Sequence, residues 1–272
     1  MDQTVTKCRL QAMVFAVLAM FSAPVSAAPA GPAIKHYILI HLKPGADQLQ
    51  LDRWYLTYHG PENRRAVKAW QRNYLSYRSY LPPRETEDKV PLQYGRMTEI
   101  HFDSLDDFRA TRKNSLYGGL SSYTPPPGGW RDNKLFETTT ATIPVNPEAL
   151  PVSKPTPPKE TPYVRWIIVF DYPESITVEE GDDWWAQERA PALERLQGVR
   201  RFGFYKSASD ASPKRRLAEI WFDDMETWKA SAADWFPSRA KPAWGDPFDG
   251  AAMMLIGENP DIDFVYDSRV IP

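Results

Sequence analysis

The chain has 272 residues, which is enough for one large domain or two small ones. Hydrophobic residues make up 42% of it and aromatic residues 13%, a composition that supports a packed core and argues against global disorder. The formal net charge is −2 and the chain has no dense basic tract, so the composition also argues against a nucleic-acid partner.

Residues 1–27 have the pattern of a secretory signal peptide. Two basic residues precede an apolar run at 10–21, and small residues at 25–27 provide a cleavage site. The run is shorter than the roughly 20 residues of a membrane span, and an uncleaved anchor is the alternative. We expect cleavage after Ala27, a periplasmic or secreted location, and no stable membrane association afterwards.

The single cysteine, Cys8, lies within this predicted leader. The mature chain would therefore contain no cysteine. Disulfides, thiolate catalysis and a cysteine metal site are then excluded, and stability has to come from the core.

Residues 34–144 follow the pattern β-α-β-β-α-β. Alternating apolar residues with β-branched or aromatic enrichment predict strands at 34–42, 72–80, 96–102 and 134–143. Helices are predicted around Trp54 and at 104–113, with Ser104 as the N-cap of the second. The Pro-rich loop at 121–130 is either a lid over the barrel mouth or a plain surface connection.

A Pro-rich linker is predicted at 145–162, and the pattern then repeats over 163–260. Its strands are predicted at 163–171, 199–207, 216–222 and 251–258, and its helices around Trp184 and at 224–233. Residues 261–272 form a C-terminal extension whose role the sequence does not indicate.

Two pairs of motifs indicate an internal duplication. "RMTEIHFDSLDDFRA" (96–110) matches "RLAEIWFDDMETWKA" (216–230) at an offset of 120 residues. "DRWYLTYHGPE" (52–62) matches "DDWWAQERAPA" (182–192) at an offset of 130 residues. These agreements predict two fused ferredoxin-like halves that form one pseudo-dimeric α+β barrel.

The Trp-containing helix ending in "HGP" and the later "EIHFDSLDDFRA" resemble the EthD family of dimeric α+β barrel proteins, once in each half. The resemblance implies a barrel of two units, here supplied in tandem. Relatives of that fold include cofactor-free cyclases, decarboxylases and dehydratases as well as haem-using enzymes. The fold alone therefore does not determine the function.

Histidines are the most informative candidates for a site, because all four lie in the first half: His36, His41, His59 and His101. At the matched positions the second half has Arg189 and Trp221 in place of the last two. We interpret this asymmetry as one functional pocket in the first half and a structural second half.

Strand alternation suggests how these side chains are directed. The residues at 98, 100 and 102 would pack under the helices, whereas Glu99 and His101 would point into the barrel. His41 lies on the first strand, next to the third. We therefore expect His41 and His101 to face one cavity, with His59 entering it from the end of a helix that Pro61 bends or terminates.

General acid–base chemistry is the first interpretation of this group. His59 would be the primary acid or base, with His101 and Glu99 assisting. Tyr74 or Tyr77 would donate a hydrogen bond to a developing oxyanion.

Two other interpretations stay open. Imidazoles and a carboxylate could hold zinc or iron, and haem ligated by a first-half histidine is a variant of this. Alternatively, the histidines and Glu99 are buried structural groups with hydrogen bonds to residues such as Arg96 or Arg72.

The sequence therefore predicts an exported lyase, isomerase, decarboxylase or dehydratase that needs no cofactor. Its ligand would be a hydrophobic small molecule, with aromatic molecules as one class, bound by Trp54, His41, Tyr74 and Tyr77. The expected assembly is a monomer acting as a pseudo-dimer, or a homodimer. A non-catalytic binding protein and a metal- or haem-dependent oxygenase are the alternatives.

Overall fold

The structure, a computed structural model, describes residues 33–67, 69–113, 124–145, 152–153 and 160–266. All of them belong to one compact unit. The predicted signal peptide and most of the predicted linker lie outside the described residues. In the described part of the chain, no helix has the length and apolar character needed to cross a membrane.

Ten strands in the described residues form two antiparallel sheets. They are β1 (Ala33–Leu42), β2 (Asn73–Arg78), β3 (Gly95–Phe102), β4 (Phe136–Val145), β5 (Val152–Ser153), β6 (Val164–Asp171), β7 (Val199–Lys206), β8 (Arg215–Phe222), β9 (Ala252–Gly257) and β10 (Ile262–Asp263). The first sheet has the order β10-β2-β3-β1-β4 and the second β5-β7-β8-β6-β9. In both, the four long strands lie in the order second, third, first, fourth, which confirms the predicted ferredoxin-like α+β class.

Four helical stretches connect the long strands in the described residues. They are α1 (Gln48–Trp54, Tyr55–His59 and Gly60–Val67), α2 (Leu105–Lys113), α3 (Val178–Trp184, Trp185–Arg189 and Ala190–Glu194) and α4 (Met225–Trp228, Lys229–Ala233 and Asp234–Ser238). The Ser104 hydroxyl accepts the backbone N–H of Asp107 at 3.1 Å, so the predicted N-cap of α2 is confirmed.

The middle segment of α1, Tyr55–His59, is a π-helical turn. Pro61 has no N–H to donate to the carbonyl four residues earlier, and the ladder widens so that the Gly60 N–H bonds instead to the Tyr55 carbonyl. The helix therefore continues to Val67 and does not end at His59. Helix α3 has the same turn before Pro191.

The core has layers on both faces of each sheet. The inter-sheet layer joins residues of both halves, among them Tyr37 and Met97 from the first sheet with Ile167 and Met254 from the second. Side chains on the opposite face of the first sheet, such as Ile100, pack with α1. Because β3 alternates, Glu99 and His101 point between the sheets, as its pattern predicts.

The two facing sheets do not close into a continuous hydrogen-bonded barrel in the described part of the chain. One isolated bridge, Ser79 with Ile256, joins the end of β2 to β9. The predicted closed barrel is therefore corrected to two facing sheets. The physical reason is that β10 already pairs with the outer edge of β2, and β5 with that of β7.

The C-terminal extension returns to the first half as β10. The backbone N–H of Phe264 donates to the Tyr74 carbonyl at 2.9 Å, and the Phe264 ring is fully buried against Tyr55 and Tyr74. A methyl group on Gly60 would clash with this ring. The extension thus packs directly beneath the residue that follows His59.

Candidate functional site

A cavity of about 320 Å³ lies between the helix-facing side of the first sheet and α1, and we call it the His59 cavity. It is walled by rings and aliphatic side chains, with a few polar groups. The lining residues are His36, Ile38, Ile40, Trp54, His59, Asn63, Thr98, Arg112, Trp130, Phe136, Thr138 and Thr140.

His59 enters this cavity from the π turn. Its ring stacks on Trp54 with centroids 4.7 Å apart and meets Trp130 edge-on at 5.9 Å. No hydrogen bond from a described residue reaches its ring nitrogens. Burial lowers the pKa of His59 to about 4, so the imidazole is neutral at pH 7 and can accept a proton or a hydrogen bond.

His36 lines the same cavity from β1. Burial and then the positive charge of Arg112 lower the pKa of His36 to about 3. With that pKa the imidazole is also neutral at pH 7. Its Nδ1 atom lies 2.8 Å from the Thr142 hydroxyl, so it has a fixed partner. Of the two histidines, His59 is the one with no hydrogen bond from a described residue to either ring nitrogen.

Asn63 can donate a hydrogen bond to a ligand in this cavity, whereas the proton of the Thr98 hydroxyl is already used within the protein. Asn63 lies one helical turn after His59, and its carbonyl oxygen accepts from Gln71 at 3.2 Å, which leaves its NH2 group for the cavity. The Thr98 hydroxyl is hydrogen-bonded to Tyr55, whose hydroxyl donates to Tyr74 at 3.3 Å. Tyr74 therefore reaches the cavity only through two other hydroxyls.

The loop predicted as a lid or a connection contributes to the His59 cavity. Trp130 is part of the lining, and the Thr124 carbonyl accepts the indole N–H of Trp54 at 2.9 Å. The Thr124 hydroxyl donates to Glu62 of α1 at 2.6 Å. The described part of this loop thus packs on the helix that carries His59; its residues 121–123 lie outside the described residues.

A second cavity, of about 430 Å³, lies between the two sheets, and we call it the inter-sheet cavity. Charged and aromatic side chains of both halves surround it. The lining residues are Lys35, Leu75, Tyr77, Glu99, His101, Val145, Arg165, Arg201, Gly203, Tyr205, Glu219, Trp221 and Glu258.

Glu99 is the centre of an ion network in this second cavity. Its Oε1 atom accepts from Lys35 and His101, both at 2.7 Å, and its Oε2 atom accepts from Arg165 at 2.9 Å. Burial opposes ionisation of Glu99, but the charges of Arg165 and Lys35 and the His101 hydrogen bond outweigh it and hold the pKa of the carboxyl well below its usual range. Arg165 also bonds Glu219 at 2.8 Å.

The predicted site residues therefore divide between two cavities. His59 and Trp54 line the first, whereas His101, Glu99 and Tyr77 line the second. The sheet lies between them, so the expected single cavity for the three histidines is not found.

His41 lines neither cavity. It is half-buried near the end of β1, 3.3 Å from the Thr139 hydroxyl. Burial lowers the pKa of His41, with the charge of Glu137 opposing the shift. The suggested structural partners of Glu99, Arg96 and Arg72, are also not its partners; they bond Asp52 and Asp103.

Sequence reasoning did not single out several lining residues. Asn63, Arg112 and Phe136 carry no motif, although Asn63 could have been found from its spacing of four residues after His59. Lys35 and Arg165 occupy matching positions of the two first strands, but only the fold shows that Arg165 crosses to the opposite sheet.

The second half fills the space that corresponds to the His59 cavity. Arg189, which matches His59, lies 4.8 Å from the Trp184 ring and 5.0 Å from the Trp235 ring. It is buried, and burial lowers the pKa of Arg189 to about 10. Its guanidinium donates to the Ala240 carbonyl at 2.6 Å.

The described residues contain no group of three or more His, Cys, Asp or Glu side chains placed to hold a metal ion. Lys35 and Arg165 occupy the positions around Glu99 where a cation would have to lie. The prediction of a cofactor-free protein stays a prediction.

Neither a protein family nor a curated protein sequence matches the chain. Solved structures overlap with most of it. An anthrone oxidase-like protein is 9% identical over 85% of this chain and 92% of its own, with a TM-score of 0.49. A mutant chlorite dismutase from Candidatus Nitrospira defluvii in complex with cyanide is 12% identical over 84% and 92%, with a TM-score of 0.44.

A proposed monooxygenase from Fusobacterium nucleatum subsp. nucleatum is 10% identical over 86% of this chain and 98% of its own, with a TM-score of 0.41. Identities this low and TM-scores below 0.5 carry no argument about chemistry. The chain is an α+β protein of two facing ferredoxin-like sheets, and its functional assignment has to come from the residues of its own cavities.

Proposed function

We propose that the chain is an exported enzyme that binds a planar, largely apolar small molecule in the His59 cavity and uses the neutral His59 imidazole for proton transfer. One observation carries this proposal. The His59 imidazole stacks on Trp54 in an aromatic-walled cavity, and its nitrogens have no protein partner among the described residues. A planar ligand lying along the same rings would meet a proton acceptor directly.

Donors in the lining can stabilise the anion of a ligand that gives its proton to His59. His59 accepts the ligand proton, and the imidazolium and the ligand anion then form an ion pair that offsets the burial penalty on His59. The amide of Asn63 and the guanidinium of Arg112 are donors in the lining that can stabilise the anion. Tyr74 and Tyr77, the oxyanion donors expected from the sequence, do not line this cavity.

The anion has two outcomes that match the expected reaction classes. Return of the proton from His59 to a different atom of the ligand gives an isomerase. Loss of a leaving group from the anion, with the His59 proton going to that group, gives a lyase or dehydratase. Both outcomes conserve protons and electrons and need no co-reactant.

We further propose that the two halves arose from duplication of an EthD-like unit and that the chain acts as a monomer. The matched motifs, the equal strand order and the π turn before Pro61 and Pro191 support the duplication. The leader pattern of residues 1–27 supports export.

The test begins with a thermal-shift screen of one- and two-ring aromatic compounds, followed by turnover assays on the compounds that bind. His59→Ala should lower turnover by roughly 100-fold or more, the usual contribution of a general base, while the Kd changes by only a few-fold. His41→Ala is the matched control, because His41 lines neither cavity. Unchanged turnover in His59→Ala would remove His59 from the mechanism.

A non-catalytic binding protein is the second candidate, supported by the aromatic walls alone. It predicts that the wild type binds the same compounds without converting any of them. An absorption spectrum and elemental analysis of the purified protein test the prediction that no haem or metal is bound.

A further inference from the structure

We propose that the inter-sheet cavity is a second binding site, separate from the His59 cavity, and that it takes a small planar carboxylate. The two cavities share no lining residue. This inference therefore does not depend on the function proposed for His59.

The acceptor atoms of the two central carboxylates are already used by the protein. Glu99 accepts from Lys35, His101 and Arg165. Glu219 accepts from Arg165, from the Trp221 indole at 2.7 Å and from the Tyr37 hydroxyl at 3.3 Å. Arg165 and Lys35 balance the charges of these carboxylates, and most of their acceptor sites are occupied, so they neither repel an anion strongly nor offer much to a cation.

The donors, in contrast, are in excess. Lys35 uses one of its three N–H groups on Glu99. Arg201 lies 5.0 Å from the Trp221 ring, and no hydrogen bond joins its guanidinium to a described residue. A guanidinium with a full set of N–H groups binds a carboxylate through two parallel hydrogen bonds.

The walls fit a flat apolar body. Trp221, Tyr205, Tyr77 and Leu75 surround the space. Gly203 allows the Tyr205 ring to lie close over its strand, because a methyl group there would meet that ring at 2.6 Å. The volume of about 430 Å³ is within the roughly 300–1,000 Å³ range of small-molecule pockets.

The cavity opens to solvent at its cationic end. The side chains of Lys35 and His101 are each 27% exposed, whereas Glu99 and Arg165 deeper in the network are nearly fully buried. Glu99 also accepts from the His101 Nε2 atom at 2.7 Å, which holds that imidazole beside the opening.

One lining residue opposes the proposed ligand. Glu258 carries a carboxylate, and no salt bridge joins it to the described residues of the network around Glu99. Its negative charge weakens the attraction of the cavity for an anion. Removing that charge should therefore strengthen binding of the anion. The test thus has one variant that should lower the Kd beside one that should raise it.

The experiment measures binding of benzoate by isothermal titration calorimetry at low salt, with benzylamine and benzyl alcohol as cationic and neutral probes of equal size. Benzoate should bind best of the three. Arg201→Gln should raise its Kd about tenfold or more, the value of a charge-assisted hydrogen bond, and Glu258→Gln should lower it. Arg200→Gln is the matched control, because this neighbouring arginine pairs with Asp223.

The outcomes separate this site from the His59 cavity. Binding that is lost in Arg201→Gln and unchanged in His59→Ala supports the proposal. No benzoate binding, equal or tighter binding of benzylamine, or a loss in His59→Ala but not in Arg201→Gln overturns it. Circular dichroism checks the fold of each variant, and Lys35→Gln replaces Arg201→Gln if the latter does not fold.

Discussion

Gly60 and Phe264 are so close that Gly60→Ala should destabilise the wild type but stabilise a variant that lacks the Phe264 ring. In the wild type, a methyl group on Gly60 would clash with the Phe264 ring. Overpacking of this kind costs about 1–3 kcal/mol, and replacing glycine by alanine within a helix returns about 1 kcal/mol. We therefore expect Gly60→Ala to lower the free energy of unfolding by up to about 2 kcal/mol.

The same substitution should stabilise the protein when the ring is absent. Phe264→Ala alone should cost about 3–5 kcal/mol, because the ring is fully buried. In that background the methyl group meets no ring, and the gain of about 1 kcal/mol in helix propensity remains. The backbone itself accepts a side chain here, since Ala190 occupies the matching position of α3 with nearly the same φ, −58° against −60°.

Urea unfolding of the wild type, both single variants and the double variant gives the coupling energy. The expected value is about 1–3 kcal/mol, equal to the overpacking cost. If Gly60→Ala destabilised both backgrounds equally, the reasoning would be refuted, because Phe264 would then not occupy the space above Gly60.

Three further predictions concern buried charged or titratable groups. His36 has a pKa of about 3 in the folded protein, against about 6.5 in the unfolded chain. The unfolded chain therefore binds the extra proton first, and the free energy of unfolding should fall by up to about 1.4 kcal/mol per pH unit as the pH drops from about 6.5 towards 3. Urea unfolding at each pH should show a flatter dependence in His36→Gln. Arg165→Met should cost about 3–5 kcal/mol in urea unfolding, because it leaves Glu99 and Glu219 buried without their shared cation. Arg189→Met should cost less than about 1 kcal/mol or stabilise, because the Arg189 Nε atom is buried without a partner in the described residues; a loss as large as that of Arg165→Met would contradict this reasoning.

Local patterns predicted the sheets well and the placement of the site only in part. The alternation of β3 correctly directs Glu99 and His101 between the sheets, because side chains of a strand must alternate. His59 could not join them, since α1 covers the opposite face of the same sheet and a helix side chain cannot pass through it. The face of the first sheet on which each histidine lies decides which of the two cavities it can line.

Contacts between distant parts of the chain were beyond sequence reasoning. Arg165 and Glu99 are 66 residues apart and meet across the two sheets. The C-terminal extension has no counterpart in the repeat, so its pairing with β2 follows no internal pattern. The Arg165–Glu99 contact and the pairing of β10 with β2 both depend on how complete sheets pack, and the periodicity of a single strand does not indicate that.

The strand β10 is synthesised after every other strand of the first sheet, and this affects the newly made chain. Asn73 and Asp263 are hydrogen-bonded partners separated by 190 residues, so at roughly 5–20 residues per second the first sheet waits about 10–40 s for its last strand. Until then the outer edge of β2 is unpaired, and the π turn lacks its contact with Phe264. A nascent chain that stops before Asp261 would carry every residue of the His59 cavity but lack the packing of Phe264 against the helix that bears His59.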